Sequence, residues 1–145
     1  MALTDVTDPG PETPWAQRLS GILGAIRAAA LRHPGIAGHI AARPPLGPNG
    51  LRLASGVTAS LTDAGLSPSA VVQTMQTLIA YVAAALAMSV NAGARDERWH
   101  QVTVALAGLP GTGLPADTLP VVGSAEQFDY GLHLLLNGIR AEASR

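Results

Sequence analysis

Cysteine and lysine are both absent from this 145-residue chain, and aromatic side chains make up only 3% of it. Without cysteine there is no disulfide, no thiolate nucleophile and no cysteine-ligated zinc. That absence suits a cytoplasmic protein. All the basic residues are arginine, which also excludes a P-loop lysine and Schiff-base chemistry. With 48% apolar residues and few aromatics, alanine, leucine and valine must fill the core. Charged residues are scarce at 13%, and a net charge of −1 offers no electrostatic footprint for nucleic acid or an anionic membrane. Residues 1–13 are polar and proline-containing, so they are no signal peptide and read as a flexible leader.

Charge is also missing locally. No charged side chain lies between Asp63 and Arg95, and that interval holds the longest helical pattern, 68–90. Ser67 followed by Pro68 is a start signal, a hydroxyl N-cap and then a proline at the first helical position. Asn91 and Gly93 stand where such a helix stops. A helix uncharged all round is buried on most faces, in a large core, in a membrane or against a second subunit. Gln73, Thr74, Gln76 and Thr77 crowd one end, and the clean apolar run 78–88 is shorter than the ~20 residues a membrane span needs. No membrane is therefore expected as a partner. A chain of this length buries one face of the helix in its own core. Covering the rest takes a twin chain, so a homodimer is expected.

Prolines and glycines divide the remainder into helices. Thr13 and Pro14 start the first, with Trp15, Leu19, Ile22, Leu23, Ile26 and Ala30 as a stripe of helical period. Pro34 ends it and opens a short helix through Ile36 and Ile40. Pro44, Pro45 and Pro48 force a turn. Pro48 begins another helix whose expected inward face is Leu51, Ala54, Val57, Thr58 and Leu61, closed by Gly65. Beyond Gly93, residues 96–107 place Trp99, Val102, Thr103 and Leu106 on one side. Residues 109–123 read as a long, partly mobile loop. Ser124 to Gln127 form a capping-box pattern for a last helix carrying Phe128, Leu132, Leu135 and Ile139. No alternating strand pattern and no internal repeat occur. The expectation is one all-α domain over 14–145, a bundle of about six helices.

Three strings carry a resemblance: Arg32-His33-Pro34 with His39-Ile40-Ala41-Ala42-Arg43-Pro44, then Asp63-Ala64-Gly65-Leu66-Ser67, then Glu126-Gln127-Phe128-Asp129-Tyr130-Gly131-Leu132-His133-Leu134-Leu135. In this order they resemble the C-terminal regulatory domain of tetracycline-repressor (TetR) family transcription regulators. The resemblance implies an interior site for a small hydrophobic effector. It also implies homodimerisation through a four-helix bundle made of helices 68–90 and 125–142 from each subunit. About fourteen residues precede Trp15, too few for a DNA-reading helix-turn-helix, and the arginines are scattered. No direct nucleic-acid binding is expected from this chain alone.

The resemblance further implies a set of ligand-binding residues. His39 matches the histidine that, in the tetracycline repressor, sits on the drug-held magnesium, and Arg43 with Pro44 match the turn that shifts on binding. Val57, Thr58, Val72, Met75, Gln76 and Ile79 match further pocket positions, an apolar wall with two or three hydrogen-bonding groups. The position of the repressor's metal-supporting acid falls near Met88, no ligand for magnesium, so neither a metal nor another cofactor is expected. Gly21 and Ala25 replace larger contacts and leave room for a different ligand. Each position also has an ordinary reading: His39 as a helix cap, the aliphatics as core.

Catalytic patterns are thin. Asp96 and His100, and again Asp129 and His133, lie four apart on helices, a spacing usable for acid–base work. An acid-rich first turn complementing the helix dipole is the better account of the first pair, and a surface or interface ion pair explains the second as well. The glycines at 108, 111 and 113 lack a following Lys-Ser/Thr, so no phosphate loop exists. An effector sensor is the leading reading. A free-standing cyclase or isomerase using an apolar cavity is the alternative, with His39, Arg43, Asp96, Glu97 and His100 as its candidate groups. A third reading is a chain that pairs with an intact repressor and titrates it.

Overall fold

The computed structural model describes residues 3–35 and 47–145. Five α-helices account for most of them: α1 (Trp15–Arg32), α2 (Pro48–Asp63), α3 (Pro68–Val90), α4 (Glu97–Ala107) and α5 (Ala125–Ala143). A single 3-10 turn, Ala116–Thr118, interrupts the connection between α4 and α5. Among the described residues there is no strand. The short helix expected through Ile36 and Ile40 lies outside the described residues.

The helix ends follow the local chemistry. Pro48 and Pro68 each occupy a first turn, where the missing N–H has no helical partner to lose. Ser67 accepts from the Ala70 amide at 3.3 Å, Asp96 from Trp99 at 2.9 Å, and Ser124 from Gln127 at 3.1 Å. The Gln127 side chain reaches back one residue further than a capping box requires, accepting from the Gly123 amide at 2.7 Å.

The core forms where α1, α2 and α3 cross. Leu19, Ile22 and Leu23 from α1 meet Leu53, Val57 and Leu61 from α2 and Leu78, Val82 and Leu86 from α3, all buried. α2 is rotated from its expected face: Leu51 is 58% exposed, while Gly56 and Ser60 are buried. Close approach decides this. A Cβ on Gly56 would lie 3.0 Å from Ile22 Cδ1 and 2.5 Å from Asp8 Oδ2, so the glycine face is the one that can meet α1. Apolar spacing alone does not register that.

Residues 3–13, read from sequence as a flexible leader, pack as a strap on the bundle. Val6 is fully buried and Leu3 nearly so. Asp8 forms a two-point ion pair with Arg18 of α1, Nε to Oδ1 at 2.7 Å and Nη2 to Oδ2 at 2.6 Å. Pro9 sits against Gly21. Composition marks the segment as polar, but two well-placed apolar residues and one acid suffice to hold it.

α3 has the length and composition to cross a bilayer. Here one face packs into the bundle instead, and six of its 23 residues are buried. Its opposite side, Gln73, Thr77, Ala80, Ala84 and Ala87, is exposed and uncharged. Tyr130 and Leu134 on α5 are exposed at 64% and 54%. α4 leans on little: only Thr103 is buried, and Val102, expected on the inner side, is 42% exposed. Trp99 Nε1 donates to the Leu119 carbonyl at 3.1 Å and ties α4 to the loop beyond it.

Gly123 joins three helices. Its φ is +79°, and a Cβ there would run into the Met88 backbone at the end of α3. Its carbonyl accepts from Arg27 of α1 at 3.1 Å. Gly123→Ala is expected to lower unfolding free energy by about 2–4 kcal/mol, through both strain and clash. Urea denaturation of the variant checks this.

Candidate functional site

Between α1, α2 and α3 the core leaves a cavity of about 130 Å³. Leu23 and Ile26 come from α1, Leu53, Ala54 and Val57 from α2, and Met75, Leu78, Ile79 and Val82 from α3. Helical spacing explains the wall: on α3 these residues are three, one and three positions apart, one face of a 3.6-residue period. Leu3 of the strap completes it. The hollow is open to solvent on one side rather than sealed, and Ile79 in its wall is 36% exposed.

The expected site residues divide. Val57, Met75 and Ile79 converge on the cavity from two helices. Thr58 stands beside it, its hydroxyl donating to the Ala54 carbonyl at 2.8 Å and lying 3.6 Å from the Met75 sulfur. Val72 and Gln76 do not line it; both side chains are on the exposed side of α3, Val72 at 62%. Val72 shares the stripe of Ile79 but lies two turns before it, beyond the Met75 end of the wall, and Gln76 is turned about 60° further round than Ile79. His39, Arg43 and Pro44 lie outside the described residues. Gly21 faces Pro9 of the strap rather than the cavity, so the room expected there is already filled. Ala25 packs half-buried against the core.

The wall also contains Leu3, Leu23, Ile26, Gly50, Leu53, Ala54, Leu78 and Val82, which the sequence does not mark as ligand-binding, although Leu23, Ile26 and Ala54 are expected to face the core. Their spacing signals burial, and burial is common to packed core and cavity wall alike. Leu3 carries no sequence signal at all.

The described wall consists of hydrocarbon and the Met75 thioether, with no titratable side chain. Binding there rests on apolar burial and shape. The acid–base candidates lie elsewhere. Asp96 caps α4, and Glu97 and His100 are solvent-exposed. His133 Nε2 lies 3.0 Å from Asn137 Nδ2, and the described ion pairs do not include Asp129.

A second hollow lies where α3 meets the start of α5, and the polar groups of Tyr81 and Ser89 in it are already engaged. Tyr81 donates to the Phe128 carbonyl at 2.6 Å and stacks on the Phe128 ring. Ser89 donates to the Ala85 carbonyl at 2.7 Å. Burial raises the Tyr81 pKa above its ordinary value, so the phenol stays a donor. The Arg27 guanidinium lies over the Phe128 ring, 5.4 Å from its centroid, with its buried Nε unpartnered.

The strap carries the strongest electrostatic feature. The hydrogen bond from Arg18 holds the Asp8 carboxyl at about 2, against an opposing push from burial, and the Gly10 amide adds to the lowering. The folded pKa lies below the unfolded one, so the stabilisation is complete above about pH 4 and disappears as pH falls through about 2. Denaturant midpoints measured between those limits should fall more steeply for the wild-type chain than for Asp8→Asn.

The sequence profile described as "Tetracyclin repressor-like, C-terminal domain" matches residues 8–143. No curated protein matches the sequence. Among solved structures, ActR from Streptomyces coelicolor without ligand is 25% identical with a TM-score of 0.78, covering 99% of this chain and 72% of that one. The same protein in complex with actinorhodin is 27% identical, TM-score 0.76, over 99% and 73% of the two chains. In complex with (S)-DNPA it is 26% identical, TM-score 0.73, over 98% and 71%.

Proposed function

Because the chain belongs to the tetracyclin repressor-like C-terminal domain family, we propose that it is the effector-binding and dimerisation domain of a TetR-type transcriptional regulator. One observation carries this reading: an apolar hollow between three helices, open to solvent on one side, with Val57, Met75 and Ile79 in its wall. The ligand is a small hydrophobic molecule. Its uptake changes the spacing of α1, α2 and α3, and that change is the signal to a DNA-reading module. The working compartment is the cytoplasm, and a second copy pairs with this one along the exposed faces of α3 and α5.

Thermal unfolding with small aromatic hydrocarbons, and with actinorhodin and (S)-DNPA as probes bound by ActR, tests the reading. At ligand concentrations about 100-fold above Kd, stabilisation of about 2.7 kcal/mol is expected. Val57→Phe, which fills the cavity from the α2 side, should remove it. Stabilisation that survives Val57→Phe would place the ligand elsewhere, and a chemically altered ligand on recovery would favour the cyclase or isomerase alternative.

A further inference from the structure

Asp129, His133, Asn137 and Arg140 form a row along one exposed side of α5. Their helical spacing brings each within reach of the next. Arg140 Nη1 donates to Asn137 Oδ1 at 2.8 Å, and its guanidinium lies over Trp15 of α1, 5.3 Å from the ring centroid. A guanidinium has donors only, so the oxygen of the Asn137 amide faces Arg140 and the NH2 faces away. That NH2 meets His133 Nε2 at 3.0 Å. Nε2 must therefore accept, which leaves the ring neutral with its proton on Nδ1. A protonated ring would set N–H against N–H.

Resting on the pairing of two copies along α3 and α5 read above, we propose that His133 is a proton-operated switch for that pairing. The neutral ring is held by Asn137 and Arg140; the protonated ring leaves Asn137 for the Asp129 carboxylate one turn back, and the dimer weakens. Histidine is the side chain whose charge ordinarily changes between about pH 5 and 8. Tyr130 lies about 60° round α5 from His133 and Leu134 about 100°. The Tyr130 and His133 ring centroids are 6.5 Å apart, so the titrating ring borders the exposed face of α5. Few charges mask it. α3 has none and brings Tyr81, whose hydroxyl is held by the Phe128 carbonyl. On α1, Arg18 is committed to Asp8 and Arg27 to the Gly123 carbonyl, and Arg32 stands at the end away from Trp15. The 3-10 turn beside Tyr130 carries Asp117, and α5 itself adds Glu126 and Glu142 to Asp129 and Arg140. In a two-fold pair the protonated rings bring two like charges to the rim of the contact. Pairing therefore releases protons, and its dissociation constant rises as pH falls. Arg140 is a positioning residue, acting through Asn137.

Imidazole nitrogen NMR shifts and sedimentation velocity on the full chain, at about pH 8 and about pH 5.5, test this. At the higher pH the His133 proton is on Nδ1. Arg140→Ala frees Asn137 to turn its oxygen to the ring and returns the proton to Nε2, which a role for Arg140 confined to packing on Trp15 would not do. Between the two pH values the wild-type dimer dissociation constant rises about threefold or more, and His133→Gln, which takes up no charge, loses that rise. Both side chains are exposed, so the variants keep the fold. A wild-type proton on Nε2 at the higher pH, or a pH dependence that persists undiminished in His133→Gln, overturns the switch although the dimer stands. A wild-type chain that is a monomer at both pH values removes the pairing itself and the switch with it.

Discussion

Arg18→Ala is expected to lower unfolding free energy by about 2–4 kcal/mol and to release the strap from the bundle. The Arg18 and Asp8 side chains are 9% and 18% exposed, so removing one partner leaves the other charged, largely desolvated and unmatched. The loss reaches beyond the ion pair. Asp8 also accepts from the Gly10 amide at 2.9 Å, and Val6, Leu3 and Pro9 lie on the same short segment. A strap that has lost its two-point anchor exposes this apolar surface together. Arg18→Lys should recover only part of the stability, because an ammonium cannot make the parallel Nε and Nη2 bonds of a guanidinium. Limited proteolysis separates the outcomes: cleavage before Trp15 at native conditions, with the remaining helices intact, means the strap opens by itself. Unchanged cleavage and an unchanged denaturation midpoint would show that the pair contributes nothing net.

Ala84→Glu is expected to convert a dimer into a monomer, raising the dimer dissociation constant at least about a hundredfold, or roughly 2.7 kcal/mol. Ala84 lies midway along the uncharged exposed face of α3, between Ala80 and Ala87. In a two-fold arrangement that face meets its own copy, so one substitution introduces two like charges into a patch without counter-charge. In the isolated chain the residue is already exposed, and the monomer's stability should shift by less than about 0.5 kcal/mol. Sedimentation velocity together with urea denaturation therefore distinguishes a lost interface from a lost fold. A wild-type chain that sediments as a monomer at high concentration would remove the dimer and the reason for an alanine-rich face.

Much of the fold was legible because its signals are local. Ser67-Pro68 and Ser124 cap helices where the sequence places them, Gly65 ends α2 at φ +95°, and Asp96 caps α4 as the bland reading of that acid-rich turn requires. The glycine at 131, by contrast, answers to a tertiary contact: the Tyr81 hydroxyl of α3 occupies the space that a side chain there would need. The site was less legible. Val57, Met75 and Ile79 share a cavity, whereas Val72, three positions before Met75, and Gln76, one after it, are exposed. A shift of one residue on a helix rotates a side chain by about 100°, enough to move it from wall to solvent.

By itself, the sequence determined an all-helical chain with one charge-free helix, and excluded thiol, lysine and phosphate-loop chemistry, because residue types and their neighbours along the chain suffice for those conclusions. Tertiary structure alone decided that residues 3–13 strap the bundle, that α2 turns Gly56 rather than Leu51 toward α1, and that Leu3 borders the cavity. Those outcomes depend on which surfaces meet across distant parts of the chain: an aspartate finds Arg18 ten residues on, and a glycine admits a neighbour that a longer side chain would hold off.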